Sequence, residues 1–168
     1  MKVWLTVVVF AWMLCMNGCA REGSADRFFA YRQAEFTAEI EGNRQGKAVS
    51  CEAEYANGRL QSVTYTAPEA LCGMTLEREG EEWIARFKGK DYRFGEGSTA
   101  AGLLFPARLL LLEGAEVREV QKLQTGVLLT LSCPLVDDPV TLTLNSKGEP
   151  TVLSCGEWSL RVAFQAHE

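Results

Sequence analysis

From Phe36 onward, short stretches that alternate apolar with polar residues are broken at close spacing by Gly, Asn, Asp and Pro. That punctuation leaves little room for helix and is the mark of antiparallel strands joined by tight turns. Phe36, Ala38 and Ile40 alternate with Thr37, Glu39 and Glu41, and the run from Gly42 to Gly46 turns the chain into a second strand carrying Val49, Cys51, Ala53 and Tyr55 on one face. Successive strand side chains point to opposite faces, so each alternation assigns one face to a core. Asn57-Gly58 is a type I′ hairpin signal.

A third strand is predicted over Arg59 to Thr66, with Pro68 interrupting it, and a fourth begins near Gly73. Met74, Leu76 and Arg78 lead to a turn at Gly80; Trp83, Ala85 and Phe87 then alternate with Ile84 and Arg86, and Lys88-Gly89-Lys90 returns the chain into Tyr92 and Phe94. Gly95 to Gly102 reads as small and flexible. Phe105-Pro106 places proline where a helix begins, followed by Ala107 to Glu113 and a stopping Gly114, which reads as one short, all-round apolar helix. Strands resume over Glu116–Lys122, Gly126–Cys133, Pro139–Asn145, Pro150–Cys155 and Trp158–Phe164. The expectation is about eleven antiparallel strands, one helix after the sixth, and a second short helix over Asp26 to Gln33.

The first residues read as an address. Lys2 followed by an apolar run from Val3 to Met16 suits a signal sequence and is short for a transmembrane helix. Gly18-Cys19 resembles the lipobox of bacterial lipoproteins, in which the cysteine is lipidated and becomes the new N-terminus; Leu14 makes Cys15 a poor rival. The predicted organisation is a signal peptide over residues 1–18, a lipidated tether over 19–25 and one domain over 26–168. The protein is then expected on the extracytoplasmic face of the cell membrane, held by its lipid. At most about 3.5 Å per residue, the tether reaches some 20 Å. Losing Lys2 leaves 16 basic against 22 acidic side chains, a net charge of −6, which argues against nucleic acid and against a polybasic contact with anionic lipid.

The order of elements resembles the LolA/LolB-type fold of lipoprotein carriers, an open, strongly curved half-barrel covered by helices. Phe36-Thr37-Ala38-Glu39-Ile40 opening the sheet, Pro68 followed by Gly73 and a Gly80 hairpin, and the run from Leu142 to Pro150 are similar to this superfamily and to small clostridial lipoproteins within it. The resemblance implies a mainly β half-barrel whose helices cover the concave face. The similarity to the germination lipoprotein of clostridia implies a non-enzymatic protein that regulates or positions an envelope partner.

Catalytic signals are sparse. His167 is the only histidine and is penultimate, which disfavours a His-dependent triad or a dyad with Cys133 or Cys155. Cys51, Cys72, Cys133 and Cys155 contain no close pair of the kind that builds zinc sites. They are read either as buried free thiols or as disulfide partners, which an extracytoplasmic location permits. Glu77, Glu79, Glu81 and Glu82 surround a turn, where solvated charge is ordinary, and Asp137-Asp138-Pro139 reads as a turn before a strand. No cofactor or metal is expected.

What remains is apolar. Leu103-Leu104-Phe105 and Leu109 to Leu112 exceed what one helix face needs, so the helix either plugs the concave side as core or lids a groove for an acyl chain or an apolar partner segment. Trp83, Phe87, Tyr92, Phe94 and Trp158 are candidates to line the same concavity with Leu104, Phe105, Leu109 and Leu110. The expected function is an envelope lipoprotein binding a protein partner; the alternative is a lipid or lipoprotein carrier using the groove.

Overall fold

The computed structural model describes residues 26–167, so the signal peptide, Cys19 and the tether lie outside the described residues. A 3-10 helix over Asp26–Gln33, kinked at Phe29, precedes strands β1 (Phe36–Arg44), β2 (Lys47–Ala56), β3 (Arg59–Ala67), β4 (Thr75–Glu79), β5 (Glu82–Phe87) and β6 (Lys90–Gly95). A second 3-10 helix, Thr99–Leu104, runs into helix α1 (Phe105–Leu111). Then follow β7 (Glu116–Leu123), β8 (Gly126–Ser132), β9 (Val140–Asn145), β10 (Pro150–Cys155) and β11 (Trp158–Ala166).

All eleven strands form one antiparallel sheet in the order β6-β5-β4-β3-β2-β1-β11-β10-β9-β8-β7. Two meanders are therefore joined by the long β1–β11 ladder, which runs from Phe36↔Ala166 to Arg44↔Trp158. Because β6 and β7 do not meet, the sheet stays open, and it is the half-barrel that the resemblance implied.

Two turns show why the chain reverses where it does. Asn57 and Gly58 both take positive φ, at 53° and 71°, as a type I′ turn requires of its two central residues. At the start of β8, a Cβ on Gly126 would lie 1.9 Å from the Leu144 carbonyl oxygen, so only glycine lets β8 approach β9 there.

One face of every inner strand is core. Phe36, Ala38 and Ile40 on β1, Cys51, Ala53 and Tyr55 on β2, Leu129 and Leu131 on β8, and Val140, Leu142 and Leu144 on β9 are buried in a single cluster that also contains α1. Glycine at 42 leaves space on that face, since a Cβ there would press within 2.8 Å of Leu160 Cδ2. Two expectations need correction. The stretch read as flexible contains the 3-10 turn from Thr99, and the helix begins at Phe105 as expected but ends at Leu111, short of Glu113. Its C-cap is Leu112, which takes the left-handed conformation at φ 49°, before Gly114 is reached.

Candidate functional site

Helix α1 lies in the hollow of the sheet, beside β1 and β3. Proline at its first turn needs no amide partner, and Arg108 is the one polar side chain on an otherwise apolar helix. Leu104, Leu109, Leu110 and Leu112 are all 0% exposed. Complete burial of leucines stabilises by about 1.5–3 kcal/mol each, so α1 is part of the core that holds the half-barrel together.

Three tyrosines fix α1 and the 3-10 turn that leads into it. Tyr31 in the N-terminal 3-10 helix donates to the Leu110 carbonyl at 2.8 Å, Tyr55 on β2 donates to the Ala107 carbonyl at 2.9 Å, and Tyr65 on β3 donates to the Leu103 carbonyl. Leu110 is among the last carbonyls of the helix, which lack an intrahelical donor. Arg32 completes the end, donating from Nη2 to the Leu112 carbonyl at 3.1 Å while its guanidinium stacks on Phe29. A cation at a helix C-terminus also complements the dipole. Burial pushes the phenols of Tyr31, Tyr55 and Tyr65 above the usual tyrosine value; at Tyr31 the neighbouring Arg32 partly opposes the rise. The sequence alternation marks Tyr55 as inward-facing but gives no sign that its hydroxyl seeks the helix; an aromatic with a polar tip at such a position is the only available signal.

The residues expected to line a groove fall into three places. Leu104, Leu109 and Leu110 are the interior of the plug, and Trp83 is buried with them. Phe94 pairs with Trp83, and Tyr92 with Ala85, across the inner face of β5 and β6, where Phe94 and Phe87 are half-buried and Tyr92 is 54% exposed. Phe105 and Trp158 pack ring to ring at 5.5 Å, half-buried at the start of β11. Arg44 sits 5.5 Å from the Trp158 ring centre.

Two cavities flank the chain leaving α1. One, of about 490 Å³, is lined by Gly114, Leu131, Cys133, Val136 and Asp138 together with Glu116 and Arg118 of β7. Arg118 donates to Ser132 Oγ at 3.0 Å and pairs with Glu116 at 3.0 Å along its wall. The other, of about 220 Å³, is lined by Leu111 and Glu113 beyond the helix and by Arg59, Arg78, Trp83, Glu96 and Arg108.

Cys133 and Asp138 share the larger cavity, near Cys155, while Cys51, Cys72 and the carboxylates around Gly80 lie elsewhere. All four described cysteines are free thiols; Cys51, Cys133 and Cys155 are buried, and Cys72 is exposed in the β3–β4 connection. Burial pushes the Cys51 thiol up to about 12. Burial, then Asp138 and Cys133, raises Cys155. The β10–β11 register pairs Cys155 with Trp158. His167 lies at the other end of β11, about 30 Å away at some 3.3 Å per residue, where it bonds Thr37 Oγ1 at 2.8 Å. No Cys155–His167 dyad exists. Glu77 is paired with Arg86, and Arg93 bridges Glu79 at 3.1 Å and Glu82 at 3.6 Å on the outer face of β4–β6. Asp137 and Asp138 form a bend before β9, as expected. Among the described residues, no group of three or more His, Cys, Asp or Glu converges as metal ligands, and no helix is long and apolar enough to cross a membrane.

No protein family matches the sequence, and no curated relative matches it. Among solved structures, the chain is similar to an uncharacterized conserved protein from Thermus thermophilus, with 10% identity and a TM-score of 0.58 over 86% of this chain and 89% of that one. It also matches a LolA superfamily protein from Nitrosomonas europaea at 9% identity and a TM-score of 0.37, over 84% of this chain and 88% of that one. Lipoprotein LppX from Mycobacterium tuberculosis matches at 8% identity and a TM-score of 0.41, over 84% and 95%. The first of these likenesses is one of fold.

Proposed function

We propose that this protein is a membrane-anchored, non-enzymatic lipoprotein, lipidated at Cys19, that binds and positions or regulates a protein partner at the extracytoplasmic membrane surface. The observation that carries the reading is the filled concavity: Leu104, Leu109, Leu110 and Leu112 occupy, without exposure, the space that a carrier would give to its cargo. A plugged half-barrel is a rigid binding body rather than a vessel. The two free edges, β6 and β7, support partner binding as well, because an edge strand offers unpaired amides and carbonyls to an added strand. Beta-7 is exposed along nearly its whole length and carries the outlying apolar residues Val120 and Leu123. The spore-germination role implied by the clostridial resemblance is the narrower form of this reading.

The carrier reading is favoured by one feature, the 490 Å³ cavity, whose size lies within the range of small-molecule pockets and whose wall includes Leu131 and Val136. Native extraction after mild crosslinking, followed by mass spectrometry for both polypeptide and lipid, separates the two. A single envelope protein retained at constant stoichiometry, with no acyl lipid beyond the Cys19 anchor, is expected. Bound acyl lipid that is lost in Val136→Glu, with no retained polypeptide, would replace partner binding by carriage.

A further inference from the structure

The smaller cavity beside the end of α1 has a composition unlike the rest of the hollow. Arg59, Arg78 and Arg108 line it with Glu96 and Glu113, above a floor made by Leu60, Leu111 and Trp83. Three guanidinium groups against two carboxylates leave one positive charge. Arg78 and Arg108 are mostly buried, at 20% and 26% side-chain exposure, and they share one anion: the two carboxylate oxygens of Glu96 lie 3.9 Å from Arg78 Nη2 and 4.0 Å from Arg108 Nη2. Both distances exceed a hydrogen bond. Glu96 thus screens the two guanidinium groups without satisfying their N–H groups. Arg78 Nε is held separately by the Gly80 carbonyl at 3.0 Å, which fixes where the remaining donors sit.

Trp83, a residue of the same wall, carries a donor that nothing pairs. Trp83 is 2% exposed, and its indole Nε1 is buried with no hydrogen-bond partner. A buried polar group left unpaired costs about 1–3 kcal/mol, and such groups ordinarily find an acceptor. A wall with surplus positive charge and two guanidinium groups that no carboxylate reaches at hydrogen-bond distance is open to an added anion.

We propose that this cavity binds the carboxylate group of a ligand, held in the fork between Arg78 and Arg108 and balancing the surplus charge. Planar guanidinium donors match a carboxylate bidentately. The charge count selects a monoanion, because a phosphate monoester carrying about −1.5 to −2 would leave the cavity negative. At about 220 Å³ it takes a terminal group rather than a whole drug-sized ligand. Glu96 stays beside the fork as part of that charge count, and at 3.9 and 4.0 Å it leaves the hydrogen-bonding positions of both guanidinium groups to the ligand. The site does not depend on the partner-binding reading, since a free carboxylate tests it alone.

The experiment follows the indole N–H cross-peaks of the nitrogen-15-labelled full chain in non-ionic detergent, at constant ionic strength, during titration with acetate, octanoate or inorganic phosphate. Trp83→Phe assigns the reporter, and an unmoved Trp158 signal reports that the fold is intact. A saturable Trp83 shift with the carboxylates is expected, weakened about tenfold in Arg108→Gln, the loss of one charge-assisted pair. Arg108→Lys is expected to fall between, and Glu96→Gln to bind more tightly than the parent. Octanoate binding more tightly than acetate identifies an amphiphile headgroup as the source; equal affinities identify a free carboxylate. The proposal is overturned by the absence of a saturable Trp83 shift, by equal affinities in the parent and Arg108→Lys, by weaker binding in Glu96→Gln, or by phosphate outcompeting both carboxylates.

Discussion

The Tyr31 hydroxyl reaches the Leu110 carbonyl at 2.8 Å across 79 positions of sequence, and the neighbouring Arg32 reaches the Leu112 carbonyl at 3.1 Å. The N-terminal 3-10 helix is therefore the cap of α1. A seven-residue helix is far below the length that is stable alone in water. Its persistence depends on these bonds and on burial.

Tyr31→Phe keeps the ring against Phe36 and Phe164 but removes the hydroxyl donor to the Leu110 carbonyl. A loss of about 1–3 kcal/mol is expected, as for any buried acceptor left unpaired. Urea unfolding followed by circular dichroism measures it; an unchanged midpoint would remove the cap from the account.

Leu110→Ala empties part of the plug. A cost of about 2–5 kcal/mol is expected from lost burial plus the residual cavity, read in the same urea series. Val120→Ala, on the exposed edge strand, is expected to change stability by less than about 0.5 kcal/mol.

Alanine at two glycines should behave differently. Gly126→Ala drives a Cβ to 1.9 Å from Leu144 O and must part β8 from β9, whereas Gly148→Ala meets no atom within 4 Å and strains only its φ of 82°. The expected costs are more than about 3 kcal/mol for the first and about 1 kcal/mol for the second. Amide exchange along β8 and β9 should rise sharply in Gly126→Ala alone.

Alkaline stability follows from the buried acids. Tyr31, Tyr55, Tyr65 and Cys51 all have folded-state values raised by burial above their ordinary values of 10.0 for tyrosine and 9.0 for the thiol. Between the ordinary and the raised values the unfolded chain binds fewer protons than the fold, so stability is full below about pH 9 and falls as pH rises. Each group contributes a slope of up to about 1.4 kcal/mol per pH unit. Urea midpoints, taken with thiols kept reduced, should be flat from pH 7 to 8.5 and drop steeply from pH 10 to 11.

Thiol labelling separates the cysteines. At pH 8, Cys72 should react with an alkylating reagent in the native protein, while Cys51, held at about 12, should react only after denaturation. Peptide mapping gives the answer. A mass deficit of two hydrogen atoms between any pair of described cysteines in the oxidised protein would replace free thiols with a disulfide.

The strands and the reversals between them along the chain were legible because each inner strand has one wet and one dry face, and Gly or Asn-Gly marks the reversals. The register of β1 with β11 was not, because closing a chain end onto its beginning leaves no local signature. Ile84 shows the limit of alternation: it points away from the core, opposite Trp83, yet is only 3% exposed. Its cross-strand neighbours Glu77 and Arg93, with Arg86 beside it, form the ion pairs that cover it. At the site, the leucine run predicted a buried or lidding helix, but the Tyr31, Tyr55 and Tyr65 bonds and the Arg78–Glu96–Arg108 cluster join residues far apart in sequence. Only the folded sheet brings them together.

The cap of α1 is also the first described stretch of the chain. With Cys19 anchored as proposed, traction from the bilayer enters the domain at Asp26 and reaches Arg32 before it reaches any strand. The leash and the latch are then one piece of polypeptide, so tension on the anchor and closure of the hollow cannot be set independently.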